Sequence, residues 1–483
     1  MLELAISLLV LPVSLAIAEW RIGFLLCLMT AILQDPLRKL TPDQPVVYVV
    51  FVGVVFAGMC VGALARGVQL KPSIMFKRYR HFAAPFSLFL LLIIVQAFNS
   101  YLRFGNLMIS LTGALTYVMP LVSILCAYQL VFRQGEFRIY QFIKWYVVCI
   151  ALALTTVYLE YSGYHWSVLG TVGQKLIVYD AVSGYELPAF AGVFRAPEIA
   201  AWHAMTAACF GVVAILSRKI SPTQLVMALA VAAVLIGLGL LTGRRKIVIE
   251  FAVFVSTYFI LWVIFERGVG KLAGVAFTGV AVLGYLWLAS GLGEGVSERH
   301  DKESSNYSRY VAHSQDAFHA VPSRFVELGI APVMWAYDGY GLFGAGLGVG
   351  TQGTQHFGGG GGMAAAAEGG LGKIMLELGV PGLFVIGWIA ILIFRQLWWI
   401  IQITSRHSRR IARLSFGLLS FLVANVAGFS VATQAYGDLF ILLILSWTLG
   451  FLFAVPLLVE RDVRARRLAT VEGLSRVLRP RTI

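Results

Sequence analysis

Apolar runs of the length that crosses a bilayer as a helix, about twenty residues, succeed one another along most of the chain. They lie at 2–18, 22–34, 46–65, 83–98, 107–131, 145–161, 199–217, 222–241, 247–265, 272–291, 371–394, 413–430 and 438–458. The pattern predicts an all-α polytopic membrane protein of 12 or 13 transmembrane helices; it is 12 if the short opening pair, split by Glu19-Trp20-Arg21, is a single crossing. Asp35 to Asp43, with Pro36 and Pro42, reads as a proline-marked loop. One long stretch breaks the rhythm: 292–370 is too polar and glycine-rich to cross a bilayer. The organisation expected is therefore ten helices over 1–291, one large extramembrane loop over 292–370, three helices over 371–458 and a basic tail over 459–483.

Lysine and arginine orient this plan. Arg66 to Arg80, Arg133 to Lys144, Arg218-Lys219, Arg267 to Lys271, Arg395 to Arg413 and the tail beyond Glu460 fall on one side when the spans are counted. By the positive-inside rule that side is cytoplasmic. The 162–198 loop, the turn Thr242-Gly-Arg-Arg-Lys246 and the net-acidic 292–370 loop then face outward, which in a bacterial inner membrane is the periplasm. Composition agrees with a bilayer as solvent: 59% of the 483 residues are hydrophobic and 13% charged. The net charge of +14 sits in short loops, so nucleic acid is not the implied partner. Met-Leu-Glu lacks a basic n-region, so the first apolar run is expected to stay in the protein. Cys27, Cys60, Cys126, Cys149 and Cys209 fall in apolar runs without C-x-x-C spacing and read as packing residues.

Candidate chemistry collects on the outward face. Arg244-Arg245-Lys246 places three cations where charge bias alone would not. They read either as a snorkelling cluster on lipid phosphate or as a clamp for the diphosphate of a lipid, which an arginine fork meets with two hydrogen bonds. Glu250 lies one helical turn beyond Lys246 and is its expected partner. Arg309, in Ser304-Ser-Asn-Tyr-Ser-Arg-Tyr310, opens an amphipathic stretch on the large loop. Arg195 is a further binding candidate, although a pair with Glu198 accounts for it. The glycines of Tyr340 to Gly350 and Gly358 to Gly362 lack the Lys-Ser/Thr of a phosphate loop, and suit a flexible surface loop or a mobile cover. Glu368, just ahead of the helix near Leu371, is placed to accept a proton, with a helix cap as its plainer use. Glu377 lies inside that helix and reads as a packing anchor. No Asp-x-Asp, His-Glu-x-x-His, P-loop or Gly-x-Ser-x-Gly is present, so chemistry without metal, nucleotide or other cofactor is expected.

The outward arginine hairpin, the large loop with its arginine, Gly-x-Gly-Leu-Gly and Met375-Leu-Glu377-Leu-Gly379-Val-Pro-Gly382 together resemble the O-antigen polymerase and O-antigen ligase superfamily. The resemblance covers the span plan and 240–394 in detail. It implies a metal-independent, inverting membrane glycosyltransferase that polymerises or ligates polyprenyl-diphosphate-linked oligosaccharide, beside membrane lipid and other polysaccharide assembly proteins. Carried over by position, Arg244 or Arg245 holds the diphosphate, Arg309 is the second arginine, and the family's histidine falls on Glu368. That exchange lowers the reference pKa of the base by about two units, and tilts the expectation from lipopolysaccharide ligase toward exopolysaccharide polymerase. A flippase of lipid-linked sugars and a non-catalytic assembly factor are the rival readings.

Overall fold

A computed structural model describes residues 2–173, 177–179, 186–217, 221–266, 307, 309–310, 325–351 and 369–477. The helices are α1 (Leu2–Ala18), α2 (Gly23–Leu40), α3 (Phe51–Ala65), α4 (Pro72–Arg78), α5 (Ala83–Phe104), α6 (Leu107–Gln134), α7 (Phe137–Tyr161), α8 (Pro197–Leu216), α9 (Pro222–Leu240), α10 (Lys246–Phe265), α11 (Ala331–Tyr340), α12 (Gly370–His407), α13 (Arg409–Val431) and α14 (Leu439–Val477). Eleven helical stretches among the described residues are long and apolar enough to cross a membrane, so the chain is an all-α, multi-pass membrane protein. A two-stranded antiparallel hairpin, β1 (Ile177–Tyr179) with β2 (Glu186–Pro188), is paired Val178 to Leu187 between α7 and α8. The expected span at 272–291 lies outside the described residues.

The opening pair is two helices. A 3₁₀ turn at Trp20–Ile22 reverses the chain, and the 17-residue α1 returns its C-terminal end to α3, where Arg66 donates to the Ile17 carbonyl at 2.8 Å. The proline-marked loop expected at Asp35–Asp43 is shorter than that, because α2 continues through Pro36 to Leu40. Its last turns carry Asp35 and Lys39 into the protein, both buried.

Helix α8 is the hub. Its residues Ala200-Ala-Trp-His-Ala-Met-Thr-Ala-Ala-Cys-Phe-Gly211 show no polar face, and all of them are buried. A helix apolar all round must be enclosed, and small residues let neighbours approach closely. Helices α7, α9, α10 and α13 enclose it. Thus a Cβ on Gly211 would lie 3.0 Å from Val231 of α9, and Gly417 of α13 abuts Val213.

The basic segments meet at one end of the bundle. Arg78 pairs with Glu460 at 2.6 Å, Arg413 with Glu266 at 2.7 Å, and Arg410 with Glu136. Gln129 and Arg133 donate to the Gln69 and Gly67 carbonyls at 3.0 and 3.2 Å, and Arg461 reaches the Phe132 carbonyl. The described loops among those counted onto one side from the sequence therefore share an end; Arg218-Lys219 and Arg267 to Lys271 lie outside the described residues.

The glycine-rich segment departs most from expectation. Gly344 to Thr351 is buried between α5, α6 and α12. Ala345 donates to the Leu376 carbonyl at 2.7 Å and Leu347 to the Gln96 carbonyl at 3.1 Å. Glycine serves close approach here: a Cβ on Gly344 would lie 2.6 Å from the Leu376 carbonyl oxygen, and one on Gly346 would lie 2.6 Å from the Ser100 nitrogen. The segment is a wedge, and neither a surface loop nor a mobile cover; Gly358 to Gly362, given the same reading, lie outside the described residues. Glu377 fastens it by accepting from Thr351 at 2.8 Å and from Tyr117 of α6 at 2.7 Å, the packing role expected of it. Gly379, at φ 68°, kinks α12 there, and the Val380 N–H turns to the Leu342 carbonyl at 2.9 Å.

Two alanine exchanges test the wedge. Gly346 holds φ 111° against Ser100, so Gly346→Ala is expected to cost about 2 kcal/mol or more. Gly387, inside α12, has open space beside it, so Gly387→Ala is expected to gain up to about 1 kcal/mol. Thermal unfolding of the detergent-solubilised variants reads both, and equal midpoints would show that the wedge is not tightly packed.

Candidate functional site

At the end opposite the basic loops, the chain buries ions. Lys39 of α2 donates from Nζ to the Gly192 and Phe194 carbonyls, each at 2.7 Å, and to the Val168 carbonyl at 3.2 Å. Glu160 at the end of α7 accepts from the Ala191 and Gly192 N–H groups at 3.0 and 2.7 Å. Residues 191–194 are thereby held from both sides. Arg195 follows directly, with its guanidinium 2.5 Å from the Asp438 carboxylate and 3.8 Å from that of Asp35. The Arg195 N–H also donates to Asp35, at 2.9 Å. Asp438 caps α14 by accepting from Phe440 and Ile441 N–H at 2.8 and 3.0 Å. Burial alone raises its pKa, but Arg195 and the Ile441 N–H outweigh this and hold it below the usual carboxylate value.

This corrects the expected Arg195–Glu198 pair. Ala196 is extended and Pro197 starts α8, which carries Glu198 away from Arg195 and toward the α9–α10 turn. There Glu198 pairs with Arg244. Arg195 is enclosed by two carboxylates from distant helices, so its charge is spent on the fold and it is a poorer ligand for an outside anion than Arg244.

The turn itself is built by Thr242, whose hydroxyl donates to the Gly239 carbonyl at 2.6 Å, and by Gly243 at φ 67°. Arg244 follows as the last residue before the helical turn, Arg245 is the N-cap and Lys246 is the first residue of α10. One turn below, Glu250 is 2% exposed and packs against the backbone of Gly428 beside Tyr436. Glu250 lies one helical turn from Lys246 and within reach of its charge. Deeper still, Trp202 donates to Asn425 at 2.8 Å, Tyr436 donates to the Asn425 carbonyl at 3.0 Å, and His203 shares a 2.7 Å hydrogen bond with Tyr146.

Arg309 arrives at the same place from the large loop. Its neighbour Tyr310 donates to the Pro188 carbonyl at 2.5 Å and packs its ring on Phe190 and Tyr161. Tyr307 donates to the Gly237 carbonyl of α9 at 3.3 Å, and Phe190 N–H reaches the Leu241 carbonyl at 3.3 Å. The segments bearing Arg195, Arg244, Arg245, Lys246 and Arg309 thus share one end of the bundle. Glu368 lies outside the described residues. The next residue, Gly369, packs against the carbonyls of Leu328 and Ser430, and Gly370 packs on Phe429. Phe429 is adjacent to the Gly428 that touches Glu250.

Neither the family models nor the curated proteins yield a match to this chain. The site is therefore read from its own residues. Sequence reasoning missed Asp35, Lys39, Glu160 and Asp438. Asp438 did carry a signal, an acid immediately before an apolar run, which is an N-cap signature. An open cavity of about 680 Å³ beside Glu266 and Arg406 lies at the basic end and takes no part here.

Removing one partner of a buried pair leaves a lone buried charge, at a cost of about 3–5 kcal/mol. Asp438→Asn removes the nearer of the two carboxylates on Arg195 and leaves Asp35 at 3.8 Å, so it is expected to lower stability at neutral pH by up to that order. Asp438 is more acidic folded than unfolded, so its stabilisation is present above the unfolded value and is lost as pH falls through its lower folded value. Wild type should lose stability below about pH 4, and this component should be missing from Asp438→Asn. Superposable pH profiles of unfolding temperature for the two proteins would refute the pairing.

Proposed function

We propose that this protein is a bacterial inner-membrane glycosyltransferase that polymerises, or ligates, polyprenyl-diphosphate-linked glycan units at the outer membrane face. One observation carries the reading: Arg244, Arg245, Lys246 and the Arg309 segment converge at the bundle end opposite the basic loops. Lipid phosphate lies at that level in a bilayer, and arginine forks suit a diphosphate. The convergence joins residues from a helical hairpin and from a loop more than sixty positions later, which a snorkelling cluster does not require.

The reaction follows from the charges. A hydroxyl of the acceptor sugar attacks the anomeric carbon of the donor and passes its proton to Glu368, the base in this reading. The bond from that carbon to the diphosphate oxygen breaks on the opposite face, with inversion. The negative charge gathering on the leaving diphosphate is stabilised by Arg244, Arg245, Lys246 and Arg309. Arg195 is a positioning residue, since it holds the start of α8 and through Glu198 sets Arg244.

A flippase is favoured by one finding, the buried ionisable residues Asp35, Lys39, Glu198, Glu250, Glu266, Lys373, Glu377 and Asp438, with Arg195 half-buried beside them. Each helical member of that set lies within about two turns of a helix end, Arg195 and Asp438 precede helices, and Glu266 follows one. Glu266 is paired with Arg413 at the basic end and the others gather at the opposite end, so among the described residues they do not trace a path across the bundle, as a transport route needs. Deleting the gene separates the readings. Single repeat units on the cell surface mark a polymerase, and full-length chains left on the lipid carrier mark a ligase. No lipid-linked product at the outer face marks a flippase.

Chain extension from purified lipid-linked units should fall ~10²–10⁴-fold in Glu368→Gln, the usual worth of general base catalysis. Arg244→Lys, Arg245→Lys and Arg309→Lys should each be damaging, since ammonium cannot reproduce the fork. Activity should survive EDTA. Near-normal turnover in Glu368→Gln removes the base assignment, and loss with EDTA sinks the metal-free mechanism.

The same reading places the Arg66–Arg80 loop in the cytoplasm and Ser167, at the ion-rich end, outside. Both Ser73 and Ser167 are exposed. An impermeant thiol reagent applied to intact spheroplasts should label Ser167→Cys and spare Ser73→Cys; the reverse pattern contradicts the orientation.

A further inference from the structure

A second cationic site lies at the basic end, remote from the ion layer. It is a groove of about 440 Å³ between the turn that joins α4 to α5 and the middle of α12, lined by Arg78, His81, Arg395, Gln396, Tyr79 and Trp399. Three features distinguish it from an ordinary snorkelling patch. Arg395 makes no ion pair among the described residues and lines the groove together with the His81 imidazole. Among the described residues the carboxylate at this groove, Glu460, is taken by Arg78 at 2.6 Å. Gln396, 8% exposed, lines the groove, and its buried amide Nε2 has no hydrogen-bond partner among the described residues. An amide donor left unsatisfied in a buried position costs about 1–3 kcal/mol, which an acceptor in the groove relieves once the amide turns toward it.

The position says what kind of acceptor. Helix α12 carries no charge from Leu378 to Phe394, and Arg395 is the first charge after that run. Trp399, 42% exposed, follows one turn later, where amphipathic rings settle at the membrane–water boundary. Tyr79 turns its hydroxyl away to the Phe453 carbonyl at 2.8 Å and presents its ring. Leu392 completes an apolar wall on the bilayer side. Cations and an amide donor above an apolar and aromatic wall match a phosphate head with hydrocarbon below it.

We propose that this groove binds the phosphate head group of an anionic membrane lipid, with Arg395, His81 and the Gln396 amide as its ligands and Trp399 and Leu392 against its first chain carbons. Basic pockets between membrane helices are suited to such head groups. Bound there, the lipid bridges the α4–α5 turn and α12 and gives the Gln396 amide an acceptor.

Native mass spectrometry of the full-length protein in detergent tests this, with phosphatidylglycerol, phosphatidylcholine and excess inorganic phosphate as probes. Wild type should retain phosphatidylglycerol over phosphatidylcholine, and inorganic phosphate should not displace it. In Arg395→Ala, retention should fall about fivefold, the effect of one surface cation on an anionic lipid. Arg410→Ala serves as the control, because Arg410 is exposed at the same end but engaged with Glu136, and it should bind as wild type does. Equal retention of the two lipids by wild type, or unchanged retention in Arg395→Ala, overturns the site. Displacement by inorganic phosphate reassigns it to free phosphate and overturns the lipid.

Discussion

The Arg195 guanidinium, shared between Asp438 and Asp35, is the contact on which the ion-rich end depends. Three parts of the chain meet there: the end of α2, the segment leading into α8 and the cap of α14. Burying three charges is expensive, and an apolar substitute of equal shape is often no less stable. What the ions supply is a fixed arrangement. Asp438 and Asp35 hold Arg195, which with Lys39 and Glu160 holds residues 191–196, and these set where α8 begins. Glu198 in the first turn of α8 then takes Arg244. The candidate diphosphate clamp is oriented through that sequence of contacts.

A second anchor works from the other side of the bundle. The wedge of Gly344 to Thr351 is fixed by Glu377, Gln96 and the backbone of Leu376, and it braces the opening turns of α12 against α5 and α6. Gly369 and Gly370 are pressed between the Leu328 and Ser430 carbonyls and the Phe429 ring, so the chain just after Glu368 has little freedom. That accords with glycines used for contact and not for motion.

Most of the membrane plan was legible because length and hydropathy decide a span, and basic loops sort by side. The grouping of residues 195, 244–246 and 309 was also legible, since counting spans assigns them one face. Errors came where one residue type has two physical uses. Pro36 was read as a stop, yet α2 continues through it to Leu40, taking Asp35 and Lys39 into the interior. Glycines 344, 346 and 348 were read as flexibility, yet each lets backbone touch backbone. Arg195 was assigned its nearest acid in sequence, whereas the partners that enclose it lie on α2 and before α14. Pairing of buried ions is a tertiary property, and spacing along one segment does not reveal it.

The central claim is that the converging cations recognise a polyprenyl diphosphate, and binding measures it more directly than turnover. The measurement is the affinity of purified full-length protein for a polyprenyl diphosphate and for the matching monophosphate, in wild type and Arg244→Ala. The account predicts tighter binding of the diphosphate by wild type, and loss of that preference in Arg244→Ala with the monophosphate little changed. Equal affinity of wild type for the two lipids would contradict it.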